Sequence, residues 1–145
     1  MKEELLRTIQ ILPAHVNFTI LSFNTNLAFL DDPPHLLLAT PDNKARASKW
    51  VKELKAVGET STDWAFDGAF EKLKEFDTIY LLSDGQPYRS GAHLPQEKIL
   101  ESIKAANRFL KCRIHTIGFF QAGRNLQNFL RALAGQHDGT YTALK

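Results

Sequence analysis

A short apolar run from Ile79 to Leu82, ended by Ser83, Asp84 and Gly85, most constrains how this chain can fold. Its length and its polar boundaries are typical of a strand buried on both faces of a parallel sheet. In an open sheet covered by helices, ligands bind just outside the carboxyl ends of the strands. We therefore expect Asp84 to lie at such an edge, where a carboxylate needs a cation or hydrogen-bond donors.

Helical and extended patterns alternate through the second half of the chain. The apolar spacing predicts helices at residues 2–12, 41–57, 62–73, 95–110 and 125–135, and strands at 16–23, 27–30 with a continuation at 36–39, 79–82, 113–119 and 140–143. This order is typical of right-handed βαβ units. The sequence therefore predicts an α/β fold, with a doubly wound, mostly parallel sheet flanked by helices, in a single domain over residues 1–145.

Local signals place the ends of several elements. Thr40 and Pro41 are suited to the N-cap and the first position of a helix, and Gly58 to its left-handed C-cap. Asn125 is the predicted N-cap of the last helix. Residues 88–94 read as a polar loop, because they show no apolar period.

Composition indicates an ordinary globular protein: 43% of residues are apolar, 23% are charged, and the net charge is +2. The positive excess is dispersed, which argues against nucleic acid as a partner. Cys112 is the only cysteine and lies between a predicted helix end and a predicted strand, so a buried structural thiol is expected. No run approaches the ~20 apolar residues of a membrane span. These features predict a soluble protein; they fit the cytoplasm but leave the compartment open.

Two polar positions, Thr60 at a helix entrance and Asp84 at a strand exit, fall on the same rim of a doubly wound sheet. A hydroxyl and a carboxylate are oxygen ligands of the kind that Mg²⁺ prefers. The same residues also have simpler roles, because Thr commonly caps helices and Asp before Gly commonly forms turns. Spacing alone leaves both interpretations open.

Four segments of the chain, in the correct order, resemble von Willebrand factor type A domains. Gly58-Glu-Thr-Ser-Thr62 resembles the family's Gly-Gly-Thr-x-Thr corner, and Leu81-Leu-Ser-Asp-Gly-Gln-Pro87 resembles its Ser-Asp-Gly-x-Pro segment. His115-Thr-Ile-Gly118 resembles the fifth strand. Phe129-Leu-Arg-Ala-Leu-Ala134 with Gly139-Thr-Tyr141 resembles the last helix and last strand.

The resemblance implies a protein-binding module rather than an enzyme. In this family Mg²⁺ sits on the sheet rim, in a metal-ion-dependent adhesion site, and an acidic residue of a partner protein completes its coordination. Carried over by position, Thr60 and Asp84 would be metal ligands. Loop residues Glu59, Ser61, Gln86 and Tyr88 would frame the partner.

The chain departs from the family pattern at its first metal-binding segment, Asp-x-Ser-x-Ser, which does not occur in residues 1–145. That segment ends the first strand, so the chain resembles a domain that starts inside its first helix and lacks a central strand. Three explanations are open: a late start in the gene model, which we favour, a fragment completed by another chain, or a domain that closes the gap itself. Without the segment, Mg²⁺ should bind weakly or not at all.

Two other functions remain as alternatives. One is a structural interaction domain that needs no metal. The other, less favoured, is a phosphoryl-transfer protein that uses Asp84 as phospho-acceptor, but it requires a second acidic cluster that the sequence does not show. Asp31, Asp32 and His35 are the closest grouping of potential metal ligands, and their flanking prolines favour a solvated turn.

Overall fold

The structure, a computed structural model, describes all residues from Met1 to Lys145. The helices are α1 (Lys2–Ile11), α2 (Pro41–Glu53), α3 (Thr62–Lys72), α4 (Gln96–Ala106) and α5 (Arg124–Gln136). The strands are β1 (Asn17–Phe18), β2 (Leu21–Phe23), β3 (Leu27–Phe29), β4 (Leu37–Leu38), β5 (Thr78–Ser83), β6 (Tyr88–Arg89), β7 (Ala92–His93), β8 (Arg113–Phe119) and β9 (Tyr141–Leu144). A short 3-10 turn, Phe120–Ala122, links β8 to α5.

The principal sheet is parallel, with strand order β5-β8-β9. Its register sets Ile79 opposite Ile114 and Ser83 opposite Gly118, so β5 and β8 end at the same edge. Helices α3, α4 and α5 pack against it through apolar residues that recur at helical spacing. The predicted α/β class, with a parallel sheet flanked by helices, is confirmed.

The larger core lies between this sheet and its helices. Its ten buried members are Phe66, Leu81, Ile99, Ile103, Cys112, Ile114, Leu126, Phe129, Leu130 and Leu133. One polar side chain, Thr116, is also fully buried near α5, and its hydroxyl donates a hydrogen bond of 2.8 Å to the Leu130 carbonyl oxygen. This hydrogen bond offsets the free-energy cost of burying the Thr116 hydroxyl.

The N-terminal half forms a second core. It contains Ile9, Phe18, Ile20, Leu30, Ala39, Ala47 and Val51. Helix α1 packs on α2, whose N-cap is Thr40 as predicted: the Thr40 hydroxyl accepts a 3.2 Å hydrogen bond from the Asn43 N–H. No residue belongs to both cores.

The predicted single strand at 16–23 is wrong, because this segment forms two short strands with different partners. β1 pairs antiparallel with β4, and β2 pairs antiparallel with β3. The strand predicted at 27–30 with a continuation at 36–39 is therefore also two elements. The turn-forming segment 31–34 separates them, so each can fold back on a different part of 17–23.

Several predicted ends also differ from the structure. Helix α2 ends at Glu53, so Gly58 is not its cap, and α5 begins at Arg124 with Gly123 as N-cap instead of Asn125. Phe109 follows the end of α4 and is 83% exposed, not part of the buried stripe. Segment 88–94, predicted as a loop, contains the β6–β7 hairpin.

Strand β5 is paired on one edge only. All its strand partners are in β8, whereas β2 and β3 form a separate two-stranded sheet. The other edge of β5 therefore lacks a backbone partner, as expected for a sheet without its central strand. The prediction that this strand is buried on both faces is wrong, because Tyr80 of β5 is 56% exposed. Its ring stacks on His115 of β8, with ring centroids 4.8 Å apart.

We predict that Gly139→Ala lowers the free energy of unfolding by at least about 2 kcal/mol. A Cβ at Gly139 would overlap the carbonyl oxygen of Ile114, which is backbone and cannot move aside cheaply. Gly135→Ala is the matched control, because a Cβ at this helical position meets no atom within 4 Å. Urea denaturation should show a gain of up to about 1 kcal/mol for the control. Equal losses in both variants would contradict the packing described for Gly139.

Candidate functional site

Three loops meet at the carboxyl ends of β2 and β5. They are Asn24–Asn26 after β2, Gly58–Ser61 before α3, and Asp84–Pro87 after β5. In a doubly wound sheet this edge is the usual place for a ligand. We call this cluster of loops the rim.

Backbone hydrogen bonds join the Gly58–Ser61 loop to the first residue of β6, which directly follows the Asp84–Pro87 loop. Thr60 and Tyr88 form an antiparallel bridge in which each N–H donates to the other's carbonyl oxygen at 3.0 Å. A Cβ built on Gly85 would lie 2.9 Å from Thr60 Oγ1, so the Thr60 hydroxyl sits directly beside the residue that follows Asp84. The structure thus brings the two predicted metal-ligand positions to the same side of the rim.

The third loop is joined through Thr25. Its hydroxyl oxygen accepts a hydrogen bond of 3.2 Å from the Glu59 N–H. Gly58 has a φ of +97°, and a Cβ there would overlap the Thr25 hydroxyl, so both its conformation and its contact require glycine. This role for Gly58 replaces the predicted helix cap.

Asp84 presents a free carboxylate at the rim. It is exposed and forms no side-chain hydrogen bond or ion pair within the chain. Its neighbour Ser83 is buried and donates a 2.9 Å hydrogen bond to the Gly85 carbonyl oxygen, which holds the turn after β5. The Asp84 carboxylate is therefore available to a ligand, and its backbone is fixed.

Ser61 lies inside the rim rather than on its surface. It is fully buried at the N-cap of α3, where its hydroxyl forms no capping hydrogen bond and has no other partner. Its side chain is not exposed to a partner, in contrast to Gln86 and Tyr88, which are partly exposed. A buried hydroxyl without a partner lowers stability.

The β6–β7 hairpin adds a charged and aromatic surface that the sequence did not predict. Arg89 forms an ion pair with Asp63 (Nη1 to Oδ2, 2.6 Å) and lies 4.3 Å from the ring centroid of Trp64. Trp64 is 44% exposed. Glu59 Oε1 accepts a 3.3 Å hydrogen bond from the Gly91 N–H, which joins the hairpin to the Gly58–Ser61 loop.

Burial and charge affect one more acid near this surface. Burial raises the pKa of the Asp67 carboxyl, and the neighbouring Asp63 carboxylate raises it further, while Arg89 opposes both effects.

The β6–β7 hairpin could have been recognised from Ser90-Gly91, a dipeptide that often marks a tight turn. Its two-residue strands are too short to show an alternating pattern.

The donor groups at the rim fit a hard cation in kind but not in number. Thr60 and Asp84 offer oxygen ligands, whereas the Ser83 hydroxyl is buried and donates a hydrogen bond to the Gly85 carbonyl oxygen. No group of three or more His, Cys, Asp or Glu side chains in the chain is placed to hold a metal ion. Since Mg²⁺ is usually held by one or two carboxylates with other oxygen ligands, the rim is at best a partial site.

The other candidates from sequence are structural. Cys112 is buried, and burial raises the pKa of its thiol to about 11, so the reactive thiolate is disfavoured. Asp31 is bound by Arg46 (Nη2 to Oδ2, 3.1 Å), and His35 lies in an exposed turn. None of the helices has the length and apolar character needed to cross a membrane.

A parallel sheet flanked by helices, with polar loops converging at the carboxyl ends of its strands, defines an α/β domain of the doubly wound class. Residues 1–143 match the family profile described as von Willebrand factor type A domain. The chain therefore belongs to the von Willebrand factor type A domain family, whose members commonly mediate protein interactions and are generally not enzymes.

Two known proteins illustrate the similarity. Human von Willebrand factor A domain-containing protein 3B is 32% identical over 100 residues, which cover 69% of this chain and 7% of that protein. The solved structure described as von Willebrand factor type A from Catenulispora acidiphila superposes with a TM-score of 0.76 at 20% identity, covering 99% of this chain and 33% of that one. The second comparison supports the fold alone, and the chain spans a small part of both relatives.

We predict that Ser61→Ala leaves the free energy of unfolding unchanged or raises it by up to about 1 kcal/mol, because the hydroxyl has no hydrogen bond to lose. Thr116→Val is the control, since its buried hydroxyl does donate a hydrogen bond, and it should cost about 1 kcal/mol. Urea denaturation measures both. A larger loss for Ser61→Ala than for Thr116→Val would mean that the Ser61 hydroxyl has a partner.

Proposed function

We propose that this domain binds a protein partner at the rim, through a surface that includes Glu59, Gln86 and Tyr88, with Thr60 and Asp84 at its centre. The observation that carries the proposal is the convergence of three loops, each joined to the next by contacts that involve the backbone. Such a surface is rigid before binding, so little conformational entropy is lost on association. Ser61 supports the surface from within, because it is buried.

Side chains beside the rim are of the kinds that dominate protein interfaces. Trp and Arg are enriched among the residues that contribute most to binding. Here the exposed Trp64 ring is covered on one side by Arg89, which is itself oriented by Asp63. An acidic residue of the partner could pair with Arg89 or complete the coordination of a cation at Thr60 and Asp84.

Under this proposal, the rim keeps only part of the family's metal-ion-dependent adhesion site. Thr60 and Asp84 would supply one hydroxyl and one carboxylate to Mg²⁺, and the partner's carboxylate would supply another ligand. An isolated pair of ligands holds the ion weakly. A metal-independent interaction domain is the second candidate, and the absence of an Asp-x-Ser-x-Ser segment from residues 1–145 favours it.

The free edge of β5 is a second place for a partner. An unpaired edge offers N–H and C=O groups that an added strand can satisfy. We propose that a strand from outside residues 1–145, either from another chain or from a preceding segment of a longer protein, completes the sheet there. Pairing of this strand with β5 would slow hydrogen exchange of the β5 amides. Unchanged exchange in the assembled protein would contradict the proposal of an added strand.

To test the rim, a photo-cross-linking residue is placed at Gln86 and, as control, at Lys49, which is exposed in the middle of α2 away from the rim loops. Cell extract supplies partners, and cross-linked products are identified by mass spectrometry. We expect a specific product at position 86 and none at 49, because the rim is the preformed surface. Equal products at both positions would contradict the proposal. Loss of the product in EDTA would favour the metal-dependent mode.

To test the metal site directly, the chain is titrated with Mg²⁺ by calorimetry. We expect a Kd no tighter than about 1 mM, because a single carboxylate and a hydroxyl are too few ligands. Asp84→Asn should abolish any binding heat, whereas Glu101→Gln, an exposed acid on α4, should not change it. Micromolar affinity would show that the chain contains a complete site.

A further inference from the structure

A cleft of about 190 Å³ lies at the edge of the sheet opposite to the rim, between the C-terminal ends of α4 and α5 and beside the start of β8. Its lining is almost entirely polar and includes Lys104, Asn107, Arg108, Lys111, His137 and Asp138. Neither the rim nor the free edge of β5 contributes to it. Its chemistry therefore needs a separate explanation.

Asn107 determines which tautomer the neutral imidazole of His137 adopts in this cleft. Its Oδ1 accepts a 2.8 Å hydrogen bond from the Cys112 N–H, and its Nδ2 donates at 2.8 Å to the Cys112 carbonyl oxygen. These two bonds fix the amide orientation, because a backbone N–H can only donate and a carbonyl can only accept. Asn107 Nδ2 also lies 2.9 Å from His137 Nδ1, so Nδ1 must accept and the proton of a neutral His137 is on Nε2.

That proton has no acceptor in the chain. His137 is 7% exposed, and its Nε2 is buried without a hydrogen-bond partner. Burial lowers the pKa of His137, and the nearby Lys104 lowers it further, while Asp138 opposes them. His137 is thus a neutral, oriented and unsatisfied N–H donor, which is uncommon inside a folded protein.

The cleft also carries an excess of positive charge. Lys104, Arg108 and Lys111 form no ion pair within the chain, and Asp138 is the only acid in the lining. Cations at helix C-termini are common because they complement the helix dipole, so the charges alone would not indicate a ligand. The three cations together with the buried His137 N–H that lacks an acceptor do indicate an anionic ligand.

Some of the carbonyl groups at the two helix ends are already bonded, which reduces their repulsion of an anion. The Ala134 carbonyl oxygen accepts from the N–H groups of His137 and Gly139, and the Asn107 carbonyl oxygen accepts from the Lys111 N–H. Lys111 and Asp138 have φ angles of +50° and +53°, a conformation that non-glycine residues adopt at a cost. These left-handed residues turn the chain at both sides of the cleft.

We propose that this cleft binds a small oxyanion of the phosphate class, with His137 Nε2–H as hydrogen-bond donor and Lys104, Arg108 and Lys111 as the neutralising cations. A phosphate oxygen would satisfy the buried donor, and its charge would be matched by the three cations. The site would accept inorganic phosphate, a soluble phosphomonoester or the phosphomonoester headgroup of a lipid, which present the same oxygens.

The test is an NMR titration of the intact chain with inorganic phosphate, against sodium chloride at equal ionic strength. We expect the His137 imidazole nitrogen signals to shift with phosphate alone. Lys104→Gln should weaken binding at least about threefold, because it removes one cation. Lys49→Gln, an exposed lysine of α2, is the matched control and should bind as the parent chain does.

A second experiment distinguishes the sources of the phosphate group. The chain is sedimented with phosphatidylcholine vesicles with or without phosphatidic acid. Binding to phosphate and to the phosphatidic acid vesicles indicates a lipid headgroup, and binding to phosphate alone indicates a soluble ligand. The proposal is overturned if phosphate leaves the His137 signals unchanged, or if Lys104→Gln and Lys49→Gln bind equally well.

Discussion

The parallel pairing of β5 with β8 is the constraint on which the rest of this structure depends. Six residue pairs, from Thr78 with Arg113 to Ser83 with Gly118, hold the two strands in register. Because the strands run in the same direction, their carboxyl ends coincide and the turn at Asp84 is placed at one edge. The cleft beside His137 lies next to the start of β8, so it is at the opposite edge of the sheet. One ladder thus separates the two polar regions of the molecule.

Continuous apolar runs and strong caps made much of this fold predictable. β8 was predicted with its observed bounds, and Thr40 caps α2 as expected, because the signals for both are local. The segment 16–23 was not predictable in detail. Its division into β1 and β2 depends on antiparallel partners that lie further along the chain, and a propensity for strand does not indicate the partner. Phe109 illustrates another limit, because an apolar residue just beyond a helix can remain exposed.

The rim was predictable in outline because its residues follow recognisable strand and helix ends. Thr60 and Asp84 were identified from such positions, and the Thr60 hydroxyl lies beside Gly85, the residue after Asp84. Their role as metal ligands stays a prediction. The burial of Ser61 was not visible in the sequence, since a serine at a helix start is usually exposed. Nor was the His137 cleft, because Asn107 and His137 are 30 residues apart and their hydrogen bond exists only in the folded chain.

The two separate cores have a consequence for how the domain loses its structure. Cooperativity between parts of a protein depends on shared buried surface. Here α1, α2 and the β1–β4 pair bury their own set of side chains, and Phe23 of β2 is the residue of the N-terminal half that packs on the larger core. Such a division favours partial opening, in which one half melts while the other persists. A single melting temperature would then describe neither half, and amides of α1 and α2 would exchange with solvent at rates unrelated to those of β8.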